Sequence, residues 1–259
     1  MEVNMFKIEN VKGFANLGGL LESIITIAAQ IFTTSKLHLR FKDRAAAASI
    51  LADILKSRFD KTADNKQGII VLGIPRGGVI IADVIARKLH ADFDIVIGKK
   101  LLDPNDKQNA IGAVVEDGTI HIDQKLVNSL QISQEYIAKE ISDVSEEIKH
   151  MMAAYRGKAT RDYKAKDRIV ILVDDGAATG ATIITAARFI KKQQPKRLII
   201  AVPVAPRQTV ALLRGEADVV EVITSPSSNF KTVGQFYQNF IPVTHGQVIE
   251  IMQNRNLLL

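Results

Sequence analysis

The segment from 169 to 182 constrains the fold more than any other part of this chain, because it predicts a strand, a tight turn and a helix in succession. Ile169 to Val173 is an unbroken aliphatic run, which is typical of a parallel strand buried on both faces. Two acids, Asp174 and Asp175, follow where such a strand would reach the carboxyl edge of its sheet. Ile183 to Lys192 then has the composition of a helix. The segment therefore predicts an α/β fold built around this strand.

The turn between the acids and the helix has the features of an anion-binding loop. It consists of small residues, namely Gly176, Ala177, Ala178, Thr179, Gly180, Ala181 and Thr182. The glycines allow a tight backbone turn, and the alanines keep side chains out of the way. Free N–H groups at the head of a helix, assisted by the threonine hydroxyls, can seat a phosphate. With two carboxylates beside it to bind hydroxyl groups, the loop predicts a sugar-phosphate site.

A second strand–turn–helix unit lies earlier in the chain. Gly68 to Gly73 is mostly aliphatic, and a helix is predicted from Val79 to about Leu89. The turn between them is Pro75-Arg76-Gly77-Gly78. A guanidinium can bind phosphate oxygens through two N–H groups at once, and adjacent glycines let the backbone approach a ligand closely. Alone this turn could be structural, but together with the acidic segment it predicts a second anion site.

These two segments resemble the type I phosphoribosyltransferase family, over roughly residues 40–245. The resemblance rests on the hydrophobic strand, the acid pair and the Thr-Gly-x-Thr loop. It implies that loop 176–182 holds the ribose phosphate of phosphoribosyl pyrophosphate, and that Asp174 and Asp175 hold its ribose hydroxyls. It further implies that the Pro75–Gly78 turn binds pyrophosphate. A Mg²⁺ ion, held mainly by the substrate, would reach the protein indirectly through the two acids.

A pair of lysines is the next candidate feature. Phe93 to Gly98 predicts one buried strand, which would deliver Lys99 and Lys100 at its end. Residues 101–110 are rich in Asp, Asn, Pro and Lys and predict a mobile loop. Related enzymes carry a flexible lid here, so the resemblance implies that Lys100, with Lys99 as the less favoured partner, contacts pyrophosphate. The alternative is a solvated charge pair at a strand end.

The resemblance thus assigns the catalytic roles to Asp174, Asp175, Arg76 and Lys100, while the acceptor stays open. Relatives that use 6-oxopurines often have an acid just before the Thr-Gly, where this chain has Ala178. That difference favours adenine-type or orotate-type loops. Three aromatic residues near the end of the chain are candidates for stacking on a base, with ordinary core packing as the alternative; they are Phe230, Phe236 and Tyr237.

Two further segments predict helices, and the sequence leaves undecided whether each packs within the domain or against a second copy of the chain. Residues 123–157 carry apolar side chains at alternating spacings of four and three, which predicts a helical insertion that packs in the core or at a dimer seam. Residues 1–36 predict an amphipathic helix that packs on the domain or across a dimer. A poorly formed signal peptide and association with a membrane surface are the alternatives for that extension. We expect a homodimer.

The fold expected from this pattern is a mostly parallel central sheet with helices on both faces, in a domain from 37 to 259 that follows an N-terminal extension from 1 to 36. Apolar residues make up 47% of the chain, enough for a sizeable core. The absence of cysteine excludes disulfides and thiol catalysis. The net charge of +6 suits an anionic ligand. The chain has no basic block interleaved with aromatic residues, so we expect no dedicated nucleic-acid partner.

The function predicted is that of a cytoplasmic, magnesium-dependent phosphoribosyltransferase of nucleotide metabolism. The alternative is a regulatory protein that senses phosphoribosyl pyrophosphate or nucleotides without transferring the group. A third possibility is a related phosphorylase or hydrolase. The dinucleotide fingerprint and the Walker loop are both absent, and the chain ends too soon after the acid pair for a receiver domain.

Overall fold

The structure, a computed structural model, describes residues 40–60, 68–107, 109–156 and 165–256. The extension predicted for residues 1–36 lies outside the described residues. The helices are α1 (Arg44–Asp60), α2 (Gly77–Leu89), α3 (Gln124–Ser129), α4 (Gln134–Arg156), α5 (Ala181–Lys192), α6 (Arg207–Arg214) and α7 (His245–Asn256). The strands are β1 (Ile69–Gly73), β2 (Asp92–Ile95), β3 (Gly98–Leu102), β4 (Ala110–Val115), β5 (Ile120–Ile122), β6 (Ile169–Val173), β7 (Arg197–Val204) and β8 (Val219–Thr224). Among the described helices, none combines the length and apolar character that a membrane span requires.

The central sheet has five parallel strands in the order β2-β1-β6-β7-β8. The predicted strand from Ile169 to Val173 is confirmed as β6, and it lies in the middle of this sheet. All five of its residues are buried, because it has a strand on either side and helices above and below. Parallel strands end at the same edge, so the turns that follow β1 and β6 lie side by side.

Helices cover both faces of the sheet, as predicted. Alternate residues of a strand point to opposite faces, so the aliphatic run of β6 supplies both cores at once. Ile171 packs with Leu51 of α1 and Ile85 of α2 on one face. Leu172 packs with Ile184 of α5 and Leu213 of α6 on the other. A strand buried on both faces explains why its sequence is continuously apolar rather than alternating.

The strand predicted from Phe93 to Gly98 is present, but it ends earlier than predicted. Strand β2 ends at Ile95, and β3 begins at Gly98 in a separate three-stranded antiparallel sheet with the order β3-β4-β5. The break is stabilised by buried charges that satisfy the backbone: Arg156 donates to the carbonyl oxygen of Ile95 at 2.7 Å, and Glu116 accepts from the amide of Ile97 at 2.8 Å. Both lysines therefore lie within β3, not at the end of a strand.

The predicted helical segment at 123–157 contains α3 and α4. Four members of its apolar stripe are buried, namely Ile137, Val144, Ile148 and Tyr155. They pack with the small sheet and with α7, where Val248 and Met252 belong to the same cluster. These four side chains form core within the chain, which was one of the two alternatives for the stripe.

Candidate functional site

The two predicted turns meet at the carboxyl edge of the central sheet. Gly73 and Val173 are paired neighbours at the ends of β1 and β6, and the amide of Ile74 donates to the carbonyl oxygen of Val173 at 3.0 Å. A methyl group on Gly78 would lie only 2.8 Å from that oxygen, and one on Gly77 would overlap with Oδ2 of Asp175. Glycine is therefore required at both positions for the two turns to approach each other this closely.

Asp174 and Asp175 form a carboxylate pair at this junction. The amide of Asp175 donates to Oδ1 of Asp174 at 2.8 Å. Burial, and secondly the neighbouring carboxylate of Asp175, raise the pKa of Asp174 well above its ordinary value. Burial also raises the pKa of Asp175, although the guanidinium of Arg44 opposes that shift. The pair is thus a concentration of negative charge that the protein compensates only in part.

Arg44, which the sequence reasoning missed, is the main protein partner of this pair. Its Nε donates to Oδ2 of Asp175 at 2.7 Å, and only 9% of its side chain is exposed. Its Nη1 donates to the carbonyl oxygen of Ile241 at 2.8 Å, and its guanidinium carbon lies 3.8 Å from the ring centre of Phe240. A signal was present: Arg44 is the first residue of α1, where a cation opposes the helix dipole, so a specific partner could have been expected.

The tail of the domain also contacts this pair. The hydroxyl of Tyr237 donates to the carbonyl oxygen of Asp175 at 2.6 Å, and burial raises the pKa of Tyr237 far above its usual range. Tyr237 and Phe236 are both buried in a cluster with Phe41. Of the three aromatic candidates for stacking on a base, these two therefore pack in the core. Phe230 is half-buried and lines a cavity.

The loop from 176 to 182 is fixed by its neighbours. The amide of Ala177 donates to the carbonyl oxygen of Val204 at 2.9 Å, and the hydroxyl of Thr209 donates to that of Ala178 at 2.6 Å. The first helical hydrogen bond of α5 runs from the amide of Ile184 to Gly180, whose φ is +80°. The amides in the turn before it, including that of Thr182, have no acceptor within the helix. The loop thus has backbone donors at the head of α5, and binding of a phosphate there stays a prediction.

The lysines on β3 face different partners. Lys99 forms an ion pair with Glu147 of α4, and burial, together with the nearby charge of Arg76, lowers the pKa of Lys99. Lys100, the next residue of β3, lies on the opposite face of the small sheet. Its positive charge lowers the pKa of both Asp174 and Asp175. Arg76 is exposed at the start of α2. Charges of both signs therefore surround the junction of the two turns.

A cavity of about 360 Å³ adjoins the loop. It is lined by Ala178 and Thr179 of the loop, by residues 206–208 at the start of α6, and by residues 226–231. The last of these segments includes Phe230. The volume falls near the lower end of the range for cavities that hold small organic ligands, roughly 300–1,000 Å³.

The carboxylate pair fits a weakly held magnesium ion. Within the described ranges, no three His, Cys, Asp or Glu side chains converge on one point, so they build no complete protein cage for a metal. Magnesium prefers oxygen ligands and usually keeps several waters, binding through one or two carboxylates and the phosphates of a substrate. Asp174 and Asp175 supply oxygen donors of this kind, and a nearby cation would offset the charge that burial leaves there.

Comparison with known proteins places the site in a family context. A family model described as phosphoribosyl transferase domain matches residues 40–240. Two Mycobacterium tuberculosis proteins, from strains CDC 1551 and H37Rv, carry the provisional name phosphoribosyl transferase and are each 32% identical to this chain over 213 residues. These matches cover 82% of this chain and 46% of each relative, so the chain spans about half the length of the curated relatives.

One solved structure is matched over nearly its whole length. The crystal structure of TT1426 from Thermus thermophilus is 33% identical in sequence and superposes with a TM-score of 0.66. The alignment covers 83% of this chain and 98% of that one. Nearly the whole of that protein therefore has a counterpart in the domain described above.

The raised pKa of Asp174 predicts a stability that depends on pH. The native chain binds this proton more tightly than the unfolded chain, so the free energy of unfolding falls as the pH rises through the native pKa of Asp174. Asp174→Asn removes the charge while its amide oxygen can still accept from Asp175. In urea denaturation at about pH 7, we expect the variant to be more stable than the parent by about 1 kcal/mol or more.

That difference should shrink as the pH is lowered to about 4, where the parent carboxyl also becomes neutral. Asp143→Asn, on an exposed face of α4, is the matched control and should change stability by less than about 0.5 kcal/mol at either pH. An Asp174→Asn variant that is less stable than the parent at neutral pH would contradict the assigned cause.

The contact between Arg44 and Asp175 predicts a strong coupling between them. Arg44→Met leaves a buried carboxylate without its countercharge, and we expect the free energy of unfolding to fall by about 3 kcal/mol. Adding Asp175→Asn should recover about half of that loss or more, as measured in a double-mutant cycle by urea denaturation.

Arg87→Met is the control for this cycle. Arg87 pairs with Asp83 at 3.1 Å, but 54% of its side chain is exposed, so its loss should cost less than about 0.5 kcal/mol. Equal losses in the free energy of unfolding for the Arg44 and Arg87 variants would show that the buried pair stabilises the fold no more than an exposed pair does.

Proposed function

The chain belongs to the phosphoribosyl transferase family, and from this premise we propose that it is a magnesium-dependent phosphoribosyltransferase. In this proposal it moves the phosphoribosyl group of phosphoribosyl pyrophosphate to a nitrogenous base and releases pyrophosphate. The observation that carries the proposal is the meeting of two glycine-containing turns around Asp174 and Asp175. One turn suits a phosphate, the other suits a pyrophosphate, and the acids lie between them.

The ribose phosphate is assigned to loop 176–182. Amides at the head of α5, including that of Thr182, and the hydroxyls of Thr179 and Thr182 are donors suited to a phosphate. The loop is anchored through Ala177 to Val204 and through Ala178 to Thr209, so the donors are held in place before the ligand arrives. Such pre-organisation reduces the entropy that binding would otherwise cost.

The ribose hydroxyls are assigned to the acid pair, with unequal roles. Asp175 already accepts a hydrogen bond from Arg44, whereas Asp174 accepts from the protein through the amide of Asp175. We therefore assign Asp174 the principal contact with the hydroxyls and Asp175 the role of orienting it. The negative charge of the pair would also stabilise the positive charge that develops on the ribose as the leaving group departs.

Pyrophosphate is assigned to the turn Pro75-Arg76-Gly77-Gly78 and to Lys100. The guanidinium of Arg76 is exposed, and Lys100 faces the acids, so both cations are on the ligand side of the junction. Lys99 is the weaker candidate because Glu147 already neutralises it. Magnesium, held by the substrate and indirectly by the two acids, would offset the negative charge of the pyrophosphate oxygens.

The reaction proposed is a substitution at the anomeric carbon. The bond from this carbon to the pyrophosphate oxygen breaks, and its electron pair remains on pyrophosphate. The lone pair of a ring nitrogen forms the new bond to the carbon, and any proton on that nitrogen passes to water. The acceptor is assigned to the cavity beside Ala178 and Thr179, where Phe230 offers a ring for stacking. The homodimer and the cytoplasmic location stay predictions from the sequence.

The proposal predicts turnover that depends on the acid pair. The protein is incubated with labelled phosphoribosyl pyrophosphate, magnesium and single bases from a panel, and pyrophosphate release is measured. We expect release with at least one base, and none above background when Asp174→Asn and Asp175→Asn are combined. Far-UV circular dichroism should be the same for both proteins.

Different outcomes distinguish the alternatives. Tight binding of phosphoribosyl pyrophosphate by calorimetry, without turnover on any base, would support a sensor of this compound instead. Undiminished turnover in the double variant would refute the roles given to the acids.

The two lysines on β3 provide a matched pair for a second test. Lys100→Gln should lower kcat/KM for phosphoribosyl pyrophosphate by about a hundredfold, because a cation aimed at the leaving group is lost. Lys99→Gln removes the same charge from the next residue but only leaves Glu147 exposed to solvent, so an effect below about threefold is expected. Steady-state kinetics in which the Lys99 variant loses more activity than the Lys100 variant would reverse these assignments.

A further inference from the structure

The charged side chains that line the cavity beside the loop are all positive. The cavity contains two cations, Arg207 at the first position of α6 and Lys231 at the end of the segment 226–231. Of the described residues that line it, none is acidic; the rest are prolines, serines and other uncharged residues. The cavity therefore carries a formal charge of two positive units with no carboxylate to neutralise it.

These cations are not used elsewhere in the described part of the chain. Other basic residues nearby have partners: Arg188 pairs with Glu216 at 2.6 Å, and Arg58 pairs with Glu221. In the described ranges, no ion pair involves the side chain of Arg207 or that of Lys231. Both residues are exposed, and an anion in the cavity would meet two cations that no described carboxylate already neutralises.

The cavity is also suited to an aromatic ring. Phe230 lines it and is half-buried, with its ring stacked on that of Phe236 at a centroid distance of 5.3 Å. This stacking fixes the orientation of Phe230, so its remaining surface can serve as a platform for a flat ligand. A platform and two cations on one cavity would suit a ligand that is both flat and negatively charged.

The cavity is separate from the amides assigned to the ribose phosphate. Ala178 and Thr179 are the residues of loop 176–182 that line it. The described lining includes none of residues 180–183, which contain the head of α5. The amides at the head of α5 therefore stay available to a phosphate when the cavity is occupied. The cavity adjoins the loop at Ala178 and Thr179, so an occupant would lie beside the proposed ribose phosphate.

We infer that the acceptor is an aromatic nitrogen heterocycle that carries a carboxylate, and not a neutral purine. This inference rests on the proposed function and specifies the substrate class of the same site. The carboxylate would bind to Arg207 and Lys231, and the ring would stack on Phe230. The ring nitrogen would form the bond to the anomeric carbon as the pyrophosphate leaves with its electron pair, while a proton on that nitrogen, where present, passes to water.

Matched pairs of acceptors test the inference directly. Orotate is compared with uracil, and nicotinate with nicotinamide, because each pair differs in one ionised carboxylate. Binding of each compound is measured by calorimetry in the presence of phosphoribosyl pyrophosphate and magnesium, with pyrophosphate release followed in parallel. We expect at least one carboxylate to bind about tenfold or more tightly than its neutral partner.

Variants then assign the preference to the two cations. Arg207→Gln combined with Lys231→Gln should weaken binding of the preferred carboxylate by about tenfold to a hundredfold and leave the neutral partner within about twofold. The affinity for phosphoribosyl pyrophosphate should also stay within about twofold. Arg214→Gln is the control, since it removes a positive charge from the other end of α6, away from the cavity.

The outcomes separate this inference from the proposed function. If phosphoribosyl pyrophosphate does not bind, the proposed function itself fails. If it binds but neither carboxylate exceeds its neutral partner, only the inference about the acceptor is overturned. It is equally overturned if the double variant weakens phosphoribosyl pyrophosphate and not the carboxylate, because the cations would then serve the sugar phosphate. Thermal melts of all the variants verify that each one is folded.

Discussion

The buried ion pair between Arg44 and Asp175 is the contact on which the rest of the site depends. Arg44 comes from the start of the described domain, Asp175 from its centre, and the carbonyl of Ile241 that Arg44 also binds comes from its tail. The backbone continues the same connection, since the amide of Phe41 donates to Phe236 at 2.8 Å and Gln238 donates back to Phe41 at 2.7 Å. Three distant parts of the chain are thereby joined behind the acid pair.

This arrangement leaves the acid pair rigid but electrostatically unsatisfied. Burial raises the pKa of both acids, while Arg44 and Lys100 compensate for only part of that effect. Two carboxylates that had to support the core alone would more often be replaced by neutral residues, because burying a charge is costly. Two buried acids at the junction of two glycine-containing turns are the pattern expected where local stability is sacrificed for ligand binding. The same reasoning makes a bound cation or sugar hydroxyl the natural complement of the pair.

The break between β2 and β3 determines which lysine faces the acids. The chain leaves the central sheet after Ile95 and starts a second sheet, with the crossing stabilised by Arg156 and Glu116. Within β3 the side chains alternate, so adjacent lysines must face opposite sides. Lys99 pairs with Glu147, whereas the positive charge of Lys100 lowers the pKa of both acids. The start of a new strand at Gly98 therefore places Lys99 in a structural ion pair and leaves Lys100 as the candidate functional cation.

The sequence alone determined β1 and β6, the helices that follow them and the glycine-containing turns between, because these depend on local patterns. Aliphatic runs, glycine turns and helical spacing are legible within a dozen residues, and β6 was predicted to the residue. Only the tertiary structure decided that Arg44 pairs with Asp175, 131 positions away, and that Phe236 and Tyr237 belong to the core while Phe230 lines a cavity. An arginine or an aromatic ring has the same local pattern in either setting, so its role depends on which distant segments pack around it.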